Sequence, residues 1–493
     1  MTDFIDIIEA LGAYPGIEDA STFGSYVKGR NVYKDSLLLA DGILFMVNKT
    51  DPFTKELVAI TDEPHLLAGL ATNTSIHTGK HMMARCPMNV ANAYWFMARY
   101  KNLGPKSMKD HPVSVGLGDR LGLVTPGHVA SVRKTSAFPV FAQQSIRELN
   151  LTGRTFKDVL ADAFWGAFRA GWREGFGADG DHLKTEEEVK YALDSGFSMI
   201  TLDCSNHIGS ERIGGVRAKP LSIKAGGTYK LTDGTVMAFS DNEIRNYTAI
   251  YQNAIEFTSA IYHDLLVGCG RKVDFELSID ETGTPTDPKA HYFVAKQLVD
   301  EGVPLTSLAP RFIGEFQKGI DYIGDIARFR EDFVLHQAIA DTFGYKLSVH
   351  SGSDKFSIYP SVAELSKGRF HLKTAGTNWL EALRVVMSAN PELFAQMYSY
   401  AKEHLDEAKA YYKVDVDKAY VPDAIGIGSF DRPNVRQMMH ITYGLLLSAK
   451  TAAGEPLFRT RLYRCLRENE DLLGRTVEGH IDNHLKALGL IKS

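Results

Sequence analysis

Residues 272–280 read Lys-Val-Asp-Phe-Glu-Leu-Ser-Ile-Asp, in which apolar and polar side chains alternate. Successive side chains of a strand point to opposite faces of its sheet, so Glu276, Ser278 and Asp280 share one face. The other face is apolar and is expected to pack against helices. Because the carboxylates then point away from the helices, they are expected to lie inside a sheet that closes on itself.

The sequence contains seven other short runs of this kind. Most of them are apolar, and each ends in a polar or glycine-rich turn. They lie at residues 111–119, 138–144, 175–182, 198–204, 305–311, 345–350 and 369–374. Helical patterns such as Phe156–Ala170, Glu187–Leu193 and Ile320–Phe343 lie between most of them. Strands that alternate with helices indicate a parallel sheet, and eight such units can close into a (β/α)8 barrel. The predicted fold class is therefore α/β, a TIM-type barrel.

The barrel is predicted over residues 109–380. Residues 1–108 are expected to form an α+β extension, and residues 381–493 a mainly helical one that could cap the barrel or form a homo-oligomer interface. The long gap at 205–271, between the fourth and fifth strands, predicts an insertion. Its Lys-Leu-Thr-Asp-Gly-Thr-Val-Met stretch at 230–237 is typical of a small hairpin.

Composition excludes several classes of protein. The 493 residues carry 55 basic and 60 acidic side chains, so the net charge of -5 gives no electrostatic case for binding nucleic acid or an anionic membrane. No apolar run reaches the ~18 residues of a membrane span, and the acidic start argues against a secretory signal. The four cysteines lie far apart without a CxxC pair. We expect a reduced, cytoplasmic enzyme.

The C-terminal ends of barrel strands carry the catalytic groups in this fold. The predicted strand ends hold several imidazoles and carboxylates, which could bind a divalent metal such as Zn2+, Mn2+, Ni2+ or Co2+. The remaining carboxylates could transfer protons. The side chains at these ends include Asp119, Gln143, Gln144, Asp181, His182, Asp203, Glu276, Asp280, Arg311, Glu315, His350, Ser351, Lys355, His371 and Lys373.

Some of these residues have an ordinary structural alternative. His182 beside Asp181 could be an N-cap pair of the following helix. Glu276 favours function, because a charge inside a barrel is costly unless it is paired or metal-bound. His350 ends an apolar alternation and is the best candidate for a metal ligand. The Ser-Gly-Ser-Asp-Lys segment at 351–355 resembles an anion-binding turn, although a plain turn has the same composition.

Two further patterns are discounted. Gly-Leu-Gly-Asp-Arg-Leu-Gly at 116–122 looks superficially like a dinucleotide loop, but it does not open the required βαβ unit, so NAD is not expected. His480 and His484 have helical spacing near a polar C-terminus and are expected at the surface.

Four contiguous strings, at residues 116–122, 175–184, 309–315 and 348–356, resemble the tagaturonate epimerases, sometimes studied as tagatose 4-epimerases. The resemblance covers essentially the whole chain. It implies a metal-dependent barrel that interconverts D-tagaturonate and D-fructuronate in hexuronate catabolism. By motif, it implies Asp181 as proton acceptor and Glu276 as proton donor. It also implies a metal held by His182, Glu315 and His350.

The two ketouronates differ at a hydroxyl-bearing carbon β to the ketone, whose C–H bond the carbonyl does not acidify. A retro-aldol route is therefore expected: a base takes the hydroxyl proton, the C–C bond breaks, and the aldehyde fragment turns over before it is attacked again. This needs a Lewis acid, proton-transfer groups and a clamp for the carboxylate. Arg311, Lys355 and Lys373 are the candidates for the clamp, and Ser351 and Gln144 are further candidate substrate contacts.

Other sugar chemistry fits the same barrel. A metal-dependent aldolase would release a fragment, and an aldose–ketose isomerase would move the carbonyl, so product analysis separates both from an epimerase. Neutral ketohexoses such as fructose and tagatose are possible substrates. A non-catalytic sugar-binding protein would not need Asp181, His182, Glu276 and His350 together.

Overall fold

The computed structural model describes residues 31–78, 81–209, 221–280, 282–374, 376–412 and 414–491. An antiparallel sheet of five strands comes first, with the spatial order β1-β2-β3-β5-β4. Its strands are β1 (Val32–Ala40), β2 (Ile43–Lys49), β3 (Lys55–Thr61), β4 (Thr74–Thr78) and β5 (His81–Pro87). The helix α1 (Val90–Arg99) follows, and the Asn89 side chain caps it by accepting from the Asn92 amide. Residues 1–30 of the predicted α+β extension lie outside the described residues.

Eight parallel strands then close into a barrel, each paired with the barrel strands before and after it in the chain, and the last with the first. Every predicted strand is present, so the predicted fold class is confirmed. The barrel strands are β6 (Val113–Gly116), β7 (Phe138–Ser145), β8 (Gly177–Leu183), β9 (Met199–Asp203), β12 (Asp274–Ile279), β13 (Ser307–Pro310), β14 (Lys346–Val349) and β15 (Phe370–Lys373).

The insertion between β9 and β12 contains the predicted hairpin, formed by β10 (Thr228–Lys230) and β11 (Val236–Ala238). Residues 210–220 of this insertion lie outside the described residues. Short 3-10 turns, together with a π-turn at Tyr262–Leu266, complete the connections. The 3-10 turns lie at Pro64–Leu67, Lys101–Leu103, Ser205–His207, Lys418–Tyr420 and Ile427–Ser429.

Amphipathic helices follow the barrel strands and cover the outside of the barrel. They are α2 (Thr125–Val132), α3 (Ile146–Thr152), α4 (Phe156–Arg169), α5 (Glu186–Asp194), α6 (Asp241–Ile261), α7 (Pro288–Asp300), α8 (Ile326–Phe343), α9 (Tyr359–Leu365) and α10 (Thr377–Ala389). The helix expected from Ile320 begins six residues later, because Asp325 caps it by accepting from the amides of Ala327 and Arg328. The preceding loop instead forms a bridge between Glu315 and Ile323.

The C-terminal region is helical, as expected. Its helices are α11 (Pro391–Glu403), α12 (Leu405–Lys409), α13 (Pro433–Ile441), α14 (Tyr443–Ser448), α15 (Arg459–Glu468) and α16 (Glu470–Ala487). The last helix, α16, packs against α2 and α10 of the barrel. Within the described ranges, no helix has the length and apolar character that a membrane crossing requires.

Candidate active site

Lys373 ends β15 inside the barrel, and its ammonium group is surrounded by carboxylates. Its Nζ lies 2.8 Å from Asp179, 2.7 Å from Asp181 and 2.9 Å from Glu276. It also donates to Thr201 Oγ1 at 2.6 Å. Burial opposes the charged form, yet the neighbouring carboxylates raise the pKa of Lys373 well above its usual value. Protein oxygens thus surround this ammonium, which stays charged at the centre of the site.

The register of the barrel explains how Glu276 is held. Its neighbours across the strands are Thr201 on β9 and Ser307 on β13. Their hydroxyls donate to Glu276 at 3.2 Å and 2.5 Å, and His350 Nε2 lies 2.7 Å from its Oε1. Burial alone would raise the pKa of Glu276, but the charges of Lys373 and His350 hold it well below its usual range. The alternation of polar and apolar side chains at residues 272–280 therefore does direct Glu276 into the barrel.

Asp179 belongs to the same group, although it was not among the predicted site residues. It lies two positions before Asp181 on β8, so the period of a strand places both side chains inside the barrel. Burial, reinforced by the charges of Asp181 and Glu276, raises the pKa of Asp179 to about 6. Its spacing from Asp181 was the signal that could have identified it. We call Asp179, Asp181, Glu276 and Asp280 the acidic cluster.

Among the described residues, His182, Asp280 and His350 offer ligand atoms that lie within 4.8 Å of one another. His350 Nδ1 is 3.3 Å from Asp280 Oδ2, and His182 Nε2 is 3.8 Å from Asp280 Oδ1. The other ring nitrogens are engaged: His182 Nδ1 lies 2.8 Å from Asp181 Oδ1, and His350 Nε2 contacts Glu276. Histidine ligands of metals almost always donate the N–H of the second nitrogen to a carboxylate, a backbone carbonyl or water. Buried His350 Nδ1 makes no hydrogen bond with the described residues, and this donor set suits a divalent transition metal.

The backbone at His182 is unusual and contributes to this geometry. Its φ is 52°, in the left-handed region that non-glycine residues rarely adopt. The pairing of β8 with β9 shifts register between Gly180 and Leu183, so His182 lies in an irregular part of the strand. Backbone strain of this kind costs about 1–3 kcal/mol and tends to occur at functional sites. Asp181 and His182 can therefore both face the cavity although they are adjacent in sequence. His182 is not a helix N-cap, because Thr185 caps α5.

The structure does not bring Glu315, the third metal ligand implied by the resemblance, into this group. Its side chain is 46% exposed and faces Arg311, at 3.7 Å, on the rim of the cavity. Its backbone is fixed in the loop beyond β13 by the bridge to Ile323. Asp280 lies in the third position instead. The alternation at residues 272–280 puts Asp280 on the same strand face as Glu276, although Asp280 was not among the predicted metal ligands.

Asp181, His182, Asp280, His350 and Lys373 line a cavity of about 450 Å3 at the C-terminal ends of the barrel strands, as do Arg311 and Ser351. Asp179 and Glu276 are fully buried and do not line it. Gln143 also lines it and donates to Asp181 Oδ2 at 3.4 Å. The predicted substrate contact Gln144 does not reach the cavity, because its amide donates to the Asp119 carbonyl at 3.0 Å. Adjacent residues of a strand point to opposite faces, and Gln143 is the one that points inward.

Lys355, predicted to clamp an anion, is fully buried away from the cavity wall. Its ammonium group donates to the carbonyls of Gln317, Ile320 and Ser353. Burial lowers the pKa of Lys355 to about 7. All three donors of the ammonium are thereby used by the backbone, so Lys355 connects two loops and has no donor left for a substrate.

His480 and His484 were expected at the surface, and this prediction is wrong. Both lie against Asp354, and His484 is 1% exposed. Neither ring nitrogen of His484 is available to a metal. Nε2 of His484 accepts from the Asp354 amide at 3.0 Å, and Nδ1 of His484 donates to the His480 carbonyl at 2.9 Å. These contacts instead fix the loop after β14 to α16.

Comparisons with known proteins agree with this architecture. The family model described as tagaturonate epimerase (UxaE) matches residues 33–488. The tagaturonate/fructuronate epimerase of Thermotoga maritima is 38% identical over 480 residues, which span 94% of this chain and 97% of that protein.

Two crystal structures of the fructuronate-tagaturonate epimerase of Cohnella laeviribosi, one native and one with a single glycerol, are each 40% identical to this chain. Each comparison covers 95% of this chain and 99% of the solved one, with TM-scores of 0.87 and 0.86. This likeness extends through both extensions as well as the barrel, which distinguishes membership of one family from a shared fold. We conclude that the protein is an epimerase and belongs to the tagaturonate epimerase family.

Proposed function

We propose that the protein interconverts D-tagaturonate and D-fructuronate in hexuronate catabolism, with a divalent cation such as Zn2+, Mn2+, Ni2+ or Co2+. One observation carries the proposal. His182 and His350 each turn one nitrogen to a carboxylate suited to proton transfer and the other nitrogen toward Asp280. The substrates named for the relatives from Thermotoga and Cohnella support the choice of ketouronates.

His182, Asp280 and His350 would hold the cation. A divalent cation at this position supplies Lewis-acid polarisation of the ketone and hydroxyl oxygens of the substrate. The chain's own residues, Asp181 and Glu276, supply the proton transfers. Asp181 lines the cavity, and Glu276 contacts His350, which also lines it.

Asp181 is the proton acceptor in this proposal. Burial would raise its pKa, but the charges of Lys373 and His182 hold it well below its usual range, so it is ionised and able to accept a proton. It takes the proton of the hydroxyl on the carbon β to the ketone. The bond between the α and β carbons then breaks. The hydroxyl oxygen becomes an aldehyde carbonyl, and the electron pair stays on the ketone-bearing fragment as an enediolate.

Glu276 is the proton donor when the aldehyde has turned and the C–C bond re-forms on its other face. The new alkoxide then takes a proton from this carboxyl group. Because Glu276 rests ionised, it must first receive a proton, and Asp179 can supply it. The Thr201 hydroxyl lies 2.8 Å from Asp179 and 3.2 Å from Glu276, which gives a continuous path. The proton that Asp181 took from the substrate then returns to Asp179 by way of Lys373, whose ammonium lies 2.7 Å from Asp181 and 2.8 Å from Asp179, so a turnover leaves the enzyme unchanged.

Proton NMR of D-tagaturonate incubated with the metal-loaded protein in D2O tests the proposal. We expect D-fructuronate without solvent deuterium at the inverted carbon, because the retro-aldol route never breaks that C–H bond. A three-carbon product as the main species would indicate an aldolase, and an aldouronate would indicate an isomerase. Stoichiometric deuterium at the inverted carbon would contradict the retro-aldol route.

Asp181→Asn and Glu276→Gln provide the matched variants for this assay. Both keep the shape and the hydrogen-bonding capacity of the side chain but remove its ionisable proton. A positioned acid or base typically contributes ~10²–10⁴-fold to a rate, so each variant should lose at least ~100-fold in kcat. Asp203→Asn serves as a control, because this buried strand-end carboxylate pairs with Lys184 at 3.0 Å and is not one of the carboxylates around Lys373. Near-normal rates in either catalytic variant would contradict the assigned role.

A further inference from the structure

Charge is unevenly distributed over the cavity lining. Asp181, Asp280, His182 and His350 line one part, next to Lys373. Arg120, Arg147, Lys318 and His440 line another, in which the charge of Arg120 acts on both Lys318 and His440. Glu148 is the carboxylate among the lining residues of this second part, and it is paired with Arg120 at 2.7 Å. Arg120, Arg147 and Lys318 give this second part an excess of positive charge, whereas burial and the neighbouring cations hold the pKa of His440 well below its usual value. We call these four residues the basic wall.

Lys318 is a cation of this wall that keeps unused hydrogen-bonding capacity. An ammonium group has three donors. Lys318 donates one of them to Ser351 Oγ at 2.7 Å. Within the described parts of the chain, no carboxylate forms an ion pair with its Nζ, and Glu148 and Asp181 act on it only from a greater distance. A partly buried ammonium without a counter-ion, facing a cavity, is a ready site for an anionic group of a ligand.

The other charges of the wall reinforce this conclusion. Burial lowers the pKa of Lys318, and the charges of Arg147 and Arg120 lower it further, against smaller opposing effects of Glu148 and Asp181. The Nη1 of Arg120 is buried without a hydrogen-bond partner among the described residues, and so are both ring nitrogens of His440. A carboxylate beside Lys318 would relieve the mutual repulsion of Lys318, Arg120 and Arg147.

The cations first expected to bind the substrate carboxylate are occupied elsewhere. Lys355 donates to three carbonyls, and Lys373 is surrounded by the acidic cluster. Arg311 donates to the Thr282 carbonyl and faces Glu315. Lys318 has no such commitment beyond one hydroxyl.

We propose that Lys318, positioned by Ser351, binds the carboxylate of the substrate and makes the enzyme prefer sugar acids to neutral ketohexoses. The assignment of the sugar acid as substrate rests on the proposed function. Ser351 directly follows the candidate ligand His350, so the carboxylate site and the metal group share one short loop after β14. A six-carbon acid can then span the cavity, with its reacting carbons at the acidic cluster and its carboxylate at the basic wall.

Binding of two unreactive linear compounds tests this assignment. D-gluconate and D-glucitol have the same carbon chain, and only the first carries a carboxylate. Isothermal titration of the metal-loaded protein should show gluconate binding at least ~10-fold more tightly, since hydrogen bonds between charged groups are the strong ones. In Lys318→Met this advantage should disappear while glucitol binding stays unchanged. Lys318→Arg should retain most of it.

Arg311→Met tests the competing assignment, because Arg311 is the arginine of the cavity lining that was expected to clamp the substrate carboxylate. The proposal is overturned if Lys318→Met keeps the preference for gluconate. Loss of the preference in Arg311→Met would then assign the carboxylate to Arg311, and its persistence in both variants would indicate chelation by the metal. The proposal is also overturned if the unaltered protein shows no such preference. Thermal melting of each variant separates loss of folding from loss of binding.

Kinetics distinguish this proposal from the proposed function. For D-tagaturonate, Lys318→Met should raise KM by ~10- to 100-fold with a much smaller change in kcat. If the unaltered protein fails to epimerise D-tagaturonate, the proposed function fails, but the gluconate comparison still decides whether Lys318 binds a carboxylate. If epimerisation occurs and KM is unchanged in the variant, only the role of Lys318 fails.

Discussion

At the residue scale, Asp280 and Glu315 offer a direct comparison. Both are acidic side chains beyond the end of a barrel strand, yet Asp280 is within 4 Å of both candidate histidine ligands and Glu315 faces Arg311 on the rim. A metal ligand must converge with its partners on one point, and only Asp280 does so.

Asp280→Ala should therefore lower the bound divalent metal to the level found in His350→Ala, with loss of turnover. Glu315→Ala should keep full metal occupancy, because its exposed carboxylate is not part of the group. Metal analysis of the purified variants by mass spectrometry measures both. Full occupancy in Asp280→Ala would exclude Asp280 as a ligand, and depletion in Glu315→Ala would restore Glu315.

At the scale of elements, the contact between α2 and α16 depends on glycine. A Cβ added to Gly127 would lie 2.8 Å from the Gly474 carbonyl oxygen and 2.9 Å from Val477. Both neighbours are part of a packed helix, so the two helices would have to separate. The absence of a side chain at Gly127 is thus what allows α16 to lie against the barrel.

Gly127→Ala should accordingly destabilise the protein by about 1–3 kcal/mol, the usual cost of overpacking. Gly479→Ala is the matched control, since this exposed glycine of α16 has nothing within 4 Å of an added Cβ. It should leave stability unchanged or increase it by about 0.5–1 kcal/mol, because alanine favours a helix over glycine. Thermal unfolding of both variants gives the comparison. Equal melting temperatures would show that the helices adjust without cost.

At the scale of the whole molecule, Glu470 joins three parts of the chain. Its carboxylate accepts from the Tyr33 hydroxyl at 2.6 Å, lies 3.1 Å from Lys55, and pairs with Arg169 of α4. The first two belong to the N-terminal sheet, and Glu470 itself begins α16. Although burial opposes ionisation, the charges of Arg169 and Lys55 lower the pKa of Glu470 from 4.5 to about 2.

This shift predicts how stability depends on pH. A carboxylate with a lowered folded pKa contributes its full stability above the unfolded value of 4.5 and loses it as the pH falls toward 2. The contribution of Glu470 should be about 2–3 kcal/mol at neutral pH. In Glu470→Gln it should be absent, so that the variant is less stable than the unaltered protein at pH 7 and the difference shrinks in acid. Urea unfolding across this range measures it.

Glu478→Gln is the control for this prediction. Glu478 also lies on α16, but its ion pair with Lys134 is exposed, and exposed pairs contribute only about 0–1 kcal/mol. A pH-independent difference between Glu470→Gln and the unaltered protein would contradict the assigned pKa shift.

The sequence by itself determined the barrel and the inner face of its strands. The alternation at Glu276 and Asp280 follows from backbone geometry, which depends only on neighbouring residues. His350 at the end of its strand and the acid pair of Asp181 and Glu276 could be identified for the same reason, together with a family resemblance. Period-2 spacing would also have identified Asp179.

Only the tertiary structure decided which loop side chains reach the cavity. Lys318 and Ser351 are 33 positions apart, and Tyr33 and Glu470 are 437 apart, so no local pattern records their contacts. Lys355 looked like an anion clamp because its charge is visible in the sequence, whereas the three carbonyls that take its donors come from loops. Strand faces are set by local geometry, but the partners of a loop side chain are set by how distant segments pack.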